Sequence, residues 1–164
     1  TIQNGWIRTG DKYSQDADAF YWYAGRSDDM LKVGGQWVSP IELENALLEH
    51  TAVQECGVAG RADRDGLLKP MAFVVLRAGN EPTPELKSDL LQTVRQELGP
   101  VAVIGEINFV KMLPKTRSGK IMRRVFKAVV LDRDPGDIST IEDAGSIDEA
   151  RAAWQELRAQ VHAS

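Results

Sequence analysis

Six consecutive apolar residues, Met71-Ala72-Phe73-Val74-Val75-Leu76, follow Lys69-Pro70. A strand with one wet face alternates apolar and polar residues, so a run apolar at every position must be covered on both faces. Other patterns supply the sheet and its cover. Val53 to Ala59 is a second strand, and Ile107 to Leu113 is a third strand-like run that breaks at Pro114. Ser39-Pro40-Ile41-Glu42 starts a helix, with Ser39 as N-cap, Pro40 in the first turn and Glu42 placed to close a capping box. That helix runs to about Glu49 with Leu43, Ala46 and Leu47 inward. Thr83-Pro84-Glu85 opens another, whose stripe Leu86, Leu90, Val94 and Leu98 ends at Gly99-Pro100. A third helix is expected over 120–131, burying Ile121, Met122, Val125, Phe126, Val129 and Val130. Ser146-Ile147-Asp148-Glu149 caps a last helix carrying Ala150, Ala153, Trp154 and Leu157. The order strand, helix, strand, strand, helix, strand, helix predicts an α+β fold: a short mixed sheet with helices packed on it, plus an N-terminal hairpin. At 164 residues with 43% apolar content the core is large enough for one domain, or one and a fraction.

The first 27 residues read as short strands and turns. Thr9-Gly10-Asp11 projects a carboxylate from a strand end, Asp16-Ala17-Asp18-Ala19 is a turn, and Phe20 to Tyr23 is an aromatic strand. Asp16 and Asp18 lack the further ligands of a calcium loop, so a hairpin turn is the better reading. Gly25 to Asp29 is polar and flexible. Met30 to Val33 and Gln36 to Val38 flank Gly34-Gly35 as a hairpin, and Arg61 to Lys69 is a charged connection. The single cysteine, Cys56, sits in an apolar strand pattern and reads as an inert buried thiol in a reducing, cytoplasmic compartment. His50 is a helix-end residue, and with only His162 for company it makes neither a metal site nor a catalytic dyad. No signal peptide, membrane span or internal repeat is visible. The net charge of −4 does not suggest broad attraction to nucleic acid. The charge is uneven: from Asp132 onward eight acidic residues stand against three arginines.

Basic residues concentrate instead in Leu113-Pro114-Lys115-Thr116-Arg117-Ser118-Gly119-Lys120-Ile121-Met122-Arg123-Arg124. Lys120, Arg123, Arg124 and Lys127 cannot join the apolar stripe, which places Lys120 at a helix mouth on a glycine-containing loop. Such geometry suits an anion. A solvated basic helix face fits the same residues. A phosphate-binding P-loop does not, because its first Gly and the Ser or Thr after the Lys are both missing.

Four segments in order resemble the C-terminal part of the adenylate-forming enzymes, specifically acyl-CoA and aryl-CoA synthetases. They are Arg8-Thr9-Gly10-Asp11, Gly25-Arg26-Ser27-Asp28-Asp29, Lys32-Val33-Gly34-Gly35 leading to Pro40-Ile41-Glu42-Leu43-Glu44, and Pro114 to Arg124. The Gly35 to Pro40 region is similar to benzoate-type CoA ligases, and Pro114–Leu131 with the tail Asp134–Asp143 to acetyl- and propionyl-CoA synthetases. The resemblance implies that a carboxylic acid and ATP, with magnesium, form an acyl-adenylate and pyrophosphate, after which coenzyme A displaces AMP. It implies that Asp11 accepts hydrogen bonds from the ribose hydroxyls and that Arg26 supports the ribose and neighbouring phosphate. Lys120 is the implied catalytic residue, bridging the attacking carboxylate and the α-phosphate. Asp28 matches the hinge about which the domain rotates between two poses. Gly34, Gly35 and Trp37 are implied to line the pantetheine path, and Arg95 matches a position that meets a coenzyme A phosphate.

The sequence departs from the acetyl-type pattern at Gln36-Trp37, where His-Arg is usual, and at Ala19, where a turn Gly is common. The resemblance divides the chain into 1–27, the last strands of an N-terminal adenylation domain, 28–131, the mobile domain, and 132–164, an acidic tail with a final helix. The magnesium ligand and acid pocket then belong to the N-terminal domain, no metal site lies in this chain, and the chain alone is expected to be inactive. The chain begins in mid-pattern without Met, as a piece of something longer. Two alternatives stay open: an adenylation module that loads a carrier protein, and a non-catalytic module that binds through the Lys115–Lys127 face. A lysine acyltransferase and deacylase acting on Lys120 are expected partners, since acylation erases its charge. Neither nucleic acid nor membrane is expected.

Overall fold

The computed structural model describes residues 2–33, 35–62, 68–100, 104–131 and 133–162. Two antiparallel pairs come first: β1 (Ile2–Gln3) with β2 (Trp6–Ile7), and β3 (Asp11–Gln15) with β4 (Tyr21–Arg26). A third hairpin, β5 (Leu31–Val33) with β6 (Gln36–Val38), leads into α1 (Pro40–Leu48). The central sheet has the order β7 (Val53–Ala62), β8 (Leu68–Leu76), β9 (Glu106–Phe109). β7 and β8 are antiparallel, whereas β8 and β9 are parallel. Parallel neighbours need a crossover, and α2 (Pro84–Leu98) provides it. Two helices follow, α3 (Arg123–Val130) and α4 (Gly145–His162).

The run Met71–Leu76 is the middle strand, and its side chains divide between two cores. Ala72 and Val74 face α1 and α2 with Leu43, Leu47, Leu90 and Val94. Met71, Phe73 and Val75 face α3 and α4 with Val125, Phe126, Val129 and Ala150. The mixed sheet covered on both sides is the expected α+β architecture. Phe126 stacks on Phe73 with ring centroids 4.6 Å apart, and Gly57 of β7 makes room for it. A Cβ at Gly57 would lie 2.6 Å from Phe126 Cε2, so α3 is seated against bare strand backbone.

Several boundaries differ from expectation. The strands β7 and β8 extend to Ala62 and Leu68, so Arg61 and Lys69 are paired strand residues rather than part of a connection. Cross-strand pairing carries the ladder beyond the apolar run. The third strand stops at Phe109: Val110 N–H still donates to Val74 O at 3.0 Å, but beyond it only Val110 and Leu113 pack into the second core while Lys111 and Met112 are exposed. Helix α3 starts at Arg123, three residues after Lys120. Residues 115–121 are held instead in a turn, with Thr116 N–H donating to Lys120 O and Met122 N–H to Pro114 O. Ser39 caps α1 as expected, its Oγ accepting from Ile41 N–H at 3.2 Å. The same hydroxyl donates to Ala24 O at 2.6 Å, which ties α1 to β4; among the described residues Glu42 closes no box. Helix α4 is capped by Asp143 rather than by Ser146: its Oδ1 accepts from Gly145 N–H, and its carbonyl from Ser146 Oγ.

The turn 16–19 is a hairpin turn organised by one carboxylate. Asp16 accepts from the amides of Asp18 and Phe20 and from Trp22 Nε1, and these bonds, that from Trp22 foremost, hold its carboxyl below the usual carboxylate range. Ala19 closes this turn at φ 66°, in the left-handed region that disfavours a Cβ. Ala19→Gly should therefore raise stability by about 0.5–1 kcal/mol, read as a higher denaturant midpoint at unchanged slope.

Candidate active site

The cleft of interest has a volume of ≈ 360 Å³ and lies between the 25–29 turn and the 116–124 segment. Arg26, Asp28, Ile41, Lys120, Arg124 and Thr140 are among its lining residues. Three of the residues singled out from sequence, Arg26, Asp28 and Lys120, therefore share one cavity although 92 residues of chain separate Asp28 from Lys120. Asp11 does not line it. Asp11 sits opposite Arg26 in the β3–β4 register, close enough for its charge to favour the guanidinium.

Lys120 reaches the cleft because the backbone around it is tightly turned. Gly119 N–H donates to Thr116 O at 2.8 Å with Gly119 at φ 81°, and Lys120 N–H donates to Thr116 Oγ1 at 3.1 Å. The ammonium itself is exposed and has no ion-pair partner among the described residues. Its basic neighbours are engaged elsewhere. Lys115 Nζ meets both oxygens of Glu55 at 2.9 and 3.0 Å. Arg123 pairs with Glu44, and Arg124 donates to the carbonyls of Pro135 and Asp137. Lys127 Nζ lies 3.5 Å from Asp28 O. The basic run is thus mostly internal wiring. In the cleft Arg26 Nε donates to Asp28 Oδ1 at 3.0 Å; this bond first, and the paired charge with it, lowers the Asp28 carboxyl and raises the Arg26 guanidinium. Both side chains are more than half exposed, so the pair is weak and an incoming anion can displace it.

The Glu44–Arg123 pair was not legible as a pair, and Arg123 is not the solvated cation expected. Glu44 is 5% exposed and caps the open edge of β7, its Oε1 accepting from Val58 N–H at 2.9 Å. Arg123 Nε donates to the same oxygen at 3.0 Å, and its Nη2 to the other. Burial pushes the Glu44 carboxyl above the usual range, against the pull of Arg123. Burial acts to lower the Arg123 guanidinium, but the bond to Glu44 and its charge outweigh that and the net shift is upward. The signal was present in the sequence: Pro40, Leu43, Glu44 and Leu47 fall on one helical stripe, and a carboxylate there needs a cation. Cys56 lies beside the pair, its thiol donating to Glu44 O, and burial pushes its pKa up to about 12, so it is no nucleophile. His50 Nε2 lies 3.0 Å from Asp89 Oδ2 and joins α1 to α2, as a helix-end residue.

The remaining sequence candidates are not in the cleft. Gly35, Trp37 and Arg95 are absent from its lining. Trp37 is 65% exposed on β6, and Gly35 turns the β5–β6 hairpin at φ 87°. Arg95 is exposed in the last turn of α2, whose buried residues lie on the sheet face opposite to α3. Gly34 lies outside the described residues. Among the described residues no three His, Cys, Asp or Glu side chains gather where they could hold a metal ion. No described helix is long and apolar enough to cross a membrane.

Residues 42–120 match the family model described as AMP-binding enzyme C-terminal domain. An acetyl-coenzyme A synthetase of Pyrobaculum arsenaticum is 44% identical over 157 residues, covering 96% of this chain and 23% of that protein. A benzoate–CoA ligase of Thauera aromatica is 50% identical over 123 residues, covering 75% of this chain and 23% of that protein. Among solved structures, an anthranilate CoA ligase in complex with anthranoyl-AMP aligns with TM-score 0.68 at 49% identity, over 74% of this chain and 23% of that one. The chain thus spans about a quarter of the length of the relatives it matches.

Proposed function

We propose, on the premise that this chain belongs to the AMP-binding enzyme C-terminal domain family, that it is the mobile C-terminal part of an AMP-forming acyl- or aryl-CoA synthetase. The observation that supports this most directly is the unpaired Lys120 ammonium beside the Arg26–Asp28 turn, within a chain homologous to such ligases. In the first half-reaction an acid's carboxylate oxygen bonds to the α-phosphorus of ATP as the bond to pyrophosphate breaks. Lys120 neutralises charge on those oxygens as it builds, and a compact ammonium on a long arm suits that task. Arg26 exchanges its exposed bond to Asp28 for ribose and phosphate oxygens, and Asp11 accepts from the ribose hydroxyls. In the second half-reaction the sulfur of coenzyme A bonds to the acyl carbon, AMP leaves with the carboxylate oxygen, and the thiol proton is released. Magnesium, which the resemblance to this family assigns to the preceding domain, would neutralise charge on the triphosphate there.

The two half-reactions use different faces. Lys120 stands on one side of the fold, while Gly35 and Trp37 belong to the β5–β6 hairpin and Arg95 to α2. Rotation at Asp28 would bring first one set, then the other, to a fixed nucleotide site in the preceding domain, with 1–27 completing that domain, 28–131 moving and 132–164 riding along. The Lys127–Asp28 contact is weak at 3.5 Å and offers little resistance. This chain alone, without the acid pocket, is then inactive. Exposed Lys120 is open to a cytoplasmic lysine acyltransferase and deacylase, and its acylation would switch off adenylation.

The test is the full-length parent assayed with ATP, a panel of acids including acetate, benzoate and anthranilate, and either coenzyme A or a carrier protein. AMP and pyrophosphate should appear one for one with a coenzyme A thioester. AMP release that requires the carrier protein would instead identify a loading module. A non-catalytic basic face is disfavoured, because Lys115, Arg123 and Arg124 are already bonded within the fold.

A further inference from the structure

We propose that residues 135–142 form a strap that positions the Lys120 loop, with Arg124 as its buckle. This rests on the assignment of Lys120 to the adenylation step. The loop 115–121 belongs to no sheet, and its bonds Thr116 N–H to Lys120 O and Gly119 N–H to Thr116 O are its own. Among the described residues, the backbone hydrogen bonds it shares with other parts of the chain both run to the tail. Arg117 N–H donates to Thr140 O at 3.2 Å, and Glu142 N–H donates to Lys115 O at 2.8 Å. Between them Thr116 and Ile141 form an antiparallel bridge, so the strap is a short strand laid along the loop.

Both ends of the strap are fixed. Ile141 is 8% exposed and anchors in the second core beside Ile147 and Ala150. At the other end Arg124 Nη1 donates to Pro135 O at 2.7 Å while Nη2 donates to Asp137 O. Asp137 and Asp134 turn the backbone between, accepting from the amides of Ser139 and Gly136. The guanidinium fork thus holds two carbonyls of a loop that contains no regular structure. Thr140 and Arg124 line the cleft that Lys120 enters, which puts strap and buckle on the side where placement matters. This segment lies beyond the residues matched to the family model, which end at 120. Arg124 and the strap are positioning elements; the ammonium they place makes the contact.

Variants of the full-length parent test this. Arg124→Met removes the buckle at similar length, Glu142→Pro removes the amide that bonds Lys115 O, and Glu142→Ala keeps that amide as a control. Arg124→Met and Glu142→Pro should speed amide exchange at Arg117 and Lys120 and lower the adenylation kcat about ten- to a hundredfold. KM for ATP and thioester formation from supplied acyl-adenylate should not change, Glu142→Ala should behave as the parent, and Arg124→Lys should recover part of the loss. Unaltered exchange in both variants overturns the proposal, as does faster exchange with normal adenylation. Equal loss of both half-reactions with faster exchange throughout β7–β9 also overturns it, since that reports general loosening. If Arg124→Met does not fold, Glu142→Pro decides alone. Normal adenylation in Lys120→Ala would defeat the assignment of Lys120, while exchange at Arg117 would still show whether the strap holds the loop.

Discussion

Replacing Lys120 with Ala in the full-length parent is expected to lower acyl-adenylate formation about a hundred- to a thousandfold. Thioester formation from supplied acyl-adenylate should be nearly unchanged. The asymmetry follows from charge. In the proposed first half-reaction two anions, carboxylate and triphosphate, must approach each other, and no other unengaged cation of the 113–127 segment lines the cleft with Lys120: Arg123 and Arg124 are bonded to Glu44 and to tail carbonyls. In the second, a thiol attacks a neutral acyl carbon, and the adenylate leaves as a good leaving group with less need of that ammonium. Lys120→Arg should rescue poorly, since a planar fork does not reproduce a point charge on a flexible stem. Acid-dependent pyrophosphate exchange measures the first step, and thioester appearance from synthetic adenylate measures the second. A loss shared equally by both would move Lys120 out of the chemistry and into the structure.

Sequence reading reached the fold where the pattern was two-sided and strong. The unbroken run Met71–Leu76 demanded a central strand, and Thr83-Pro84 and Ser39-Pro40 set helix starts to the residue. It stopped where tertiary contacts overrule local pattern. The stripe from Ile121 continues helical spacing, but Ile121 and Met122 are held by Lys115 and Pro114, so α3 cannot begin until Arg123. The same limit hid the pairing of the basic run. Spacing showed that Lys115, Arg123 and Arg124 lie off the apolar stripe, yet their partners Glu55, Glu44 and Pro135 lie 60, 79 and 11 residues away. Only the fold brings these together, and only it shows that Arg26, Asp28 and Lys120 border one cavity while Trp37 and Arg95 do not.

Glu44→Ala should cost the domain about 3–5 kcal/mol, the penalty for leaving a buried charge without its partner. Two groups are orphaned by it: the Arg123 guanidinium, whose side chain is 23% exposed, and the Val58 N–H on the open edge of β7. In the full-length parent this should appear as about 10²- to 10⁴-fold faster amide exchange in β7 and β8, where opening is coupled to unfolding of the sheet. The pair is nonetheless no net gain over an apolar contact. Because burial raises the Glu44 carboxyl in the folded state, its contribution to stability is present in full below the unfolded carboxyl pKa and is lost as pH rises through the folded value. Glu44 is therefore tolerated for what it holds, the Val58 N–H and the Arg123 fork, rather than for its own energy. Glu44→Leu combined with Arg123→Met should accordingly recover most of the loss seen in Glu44→Ala, with Val58 N–H the remaining deficit. The double variant should still be slower in adenylation than the parent. Arg123 sits three residues from Lys120, and its fork fixes where α3 starts and hence where the loop before it can end. A double variant that is stable but keeps full adenylation would show that the ion pair serves the sheet edge alone.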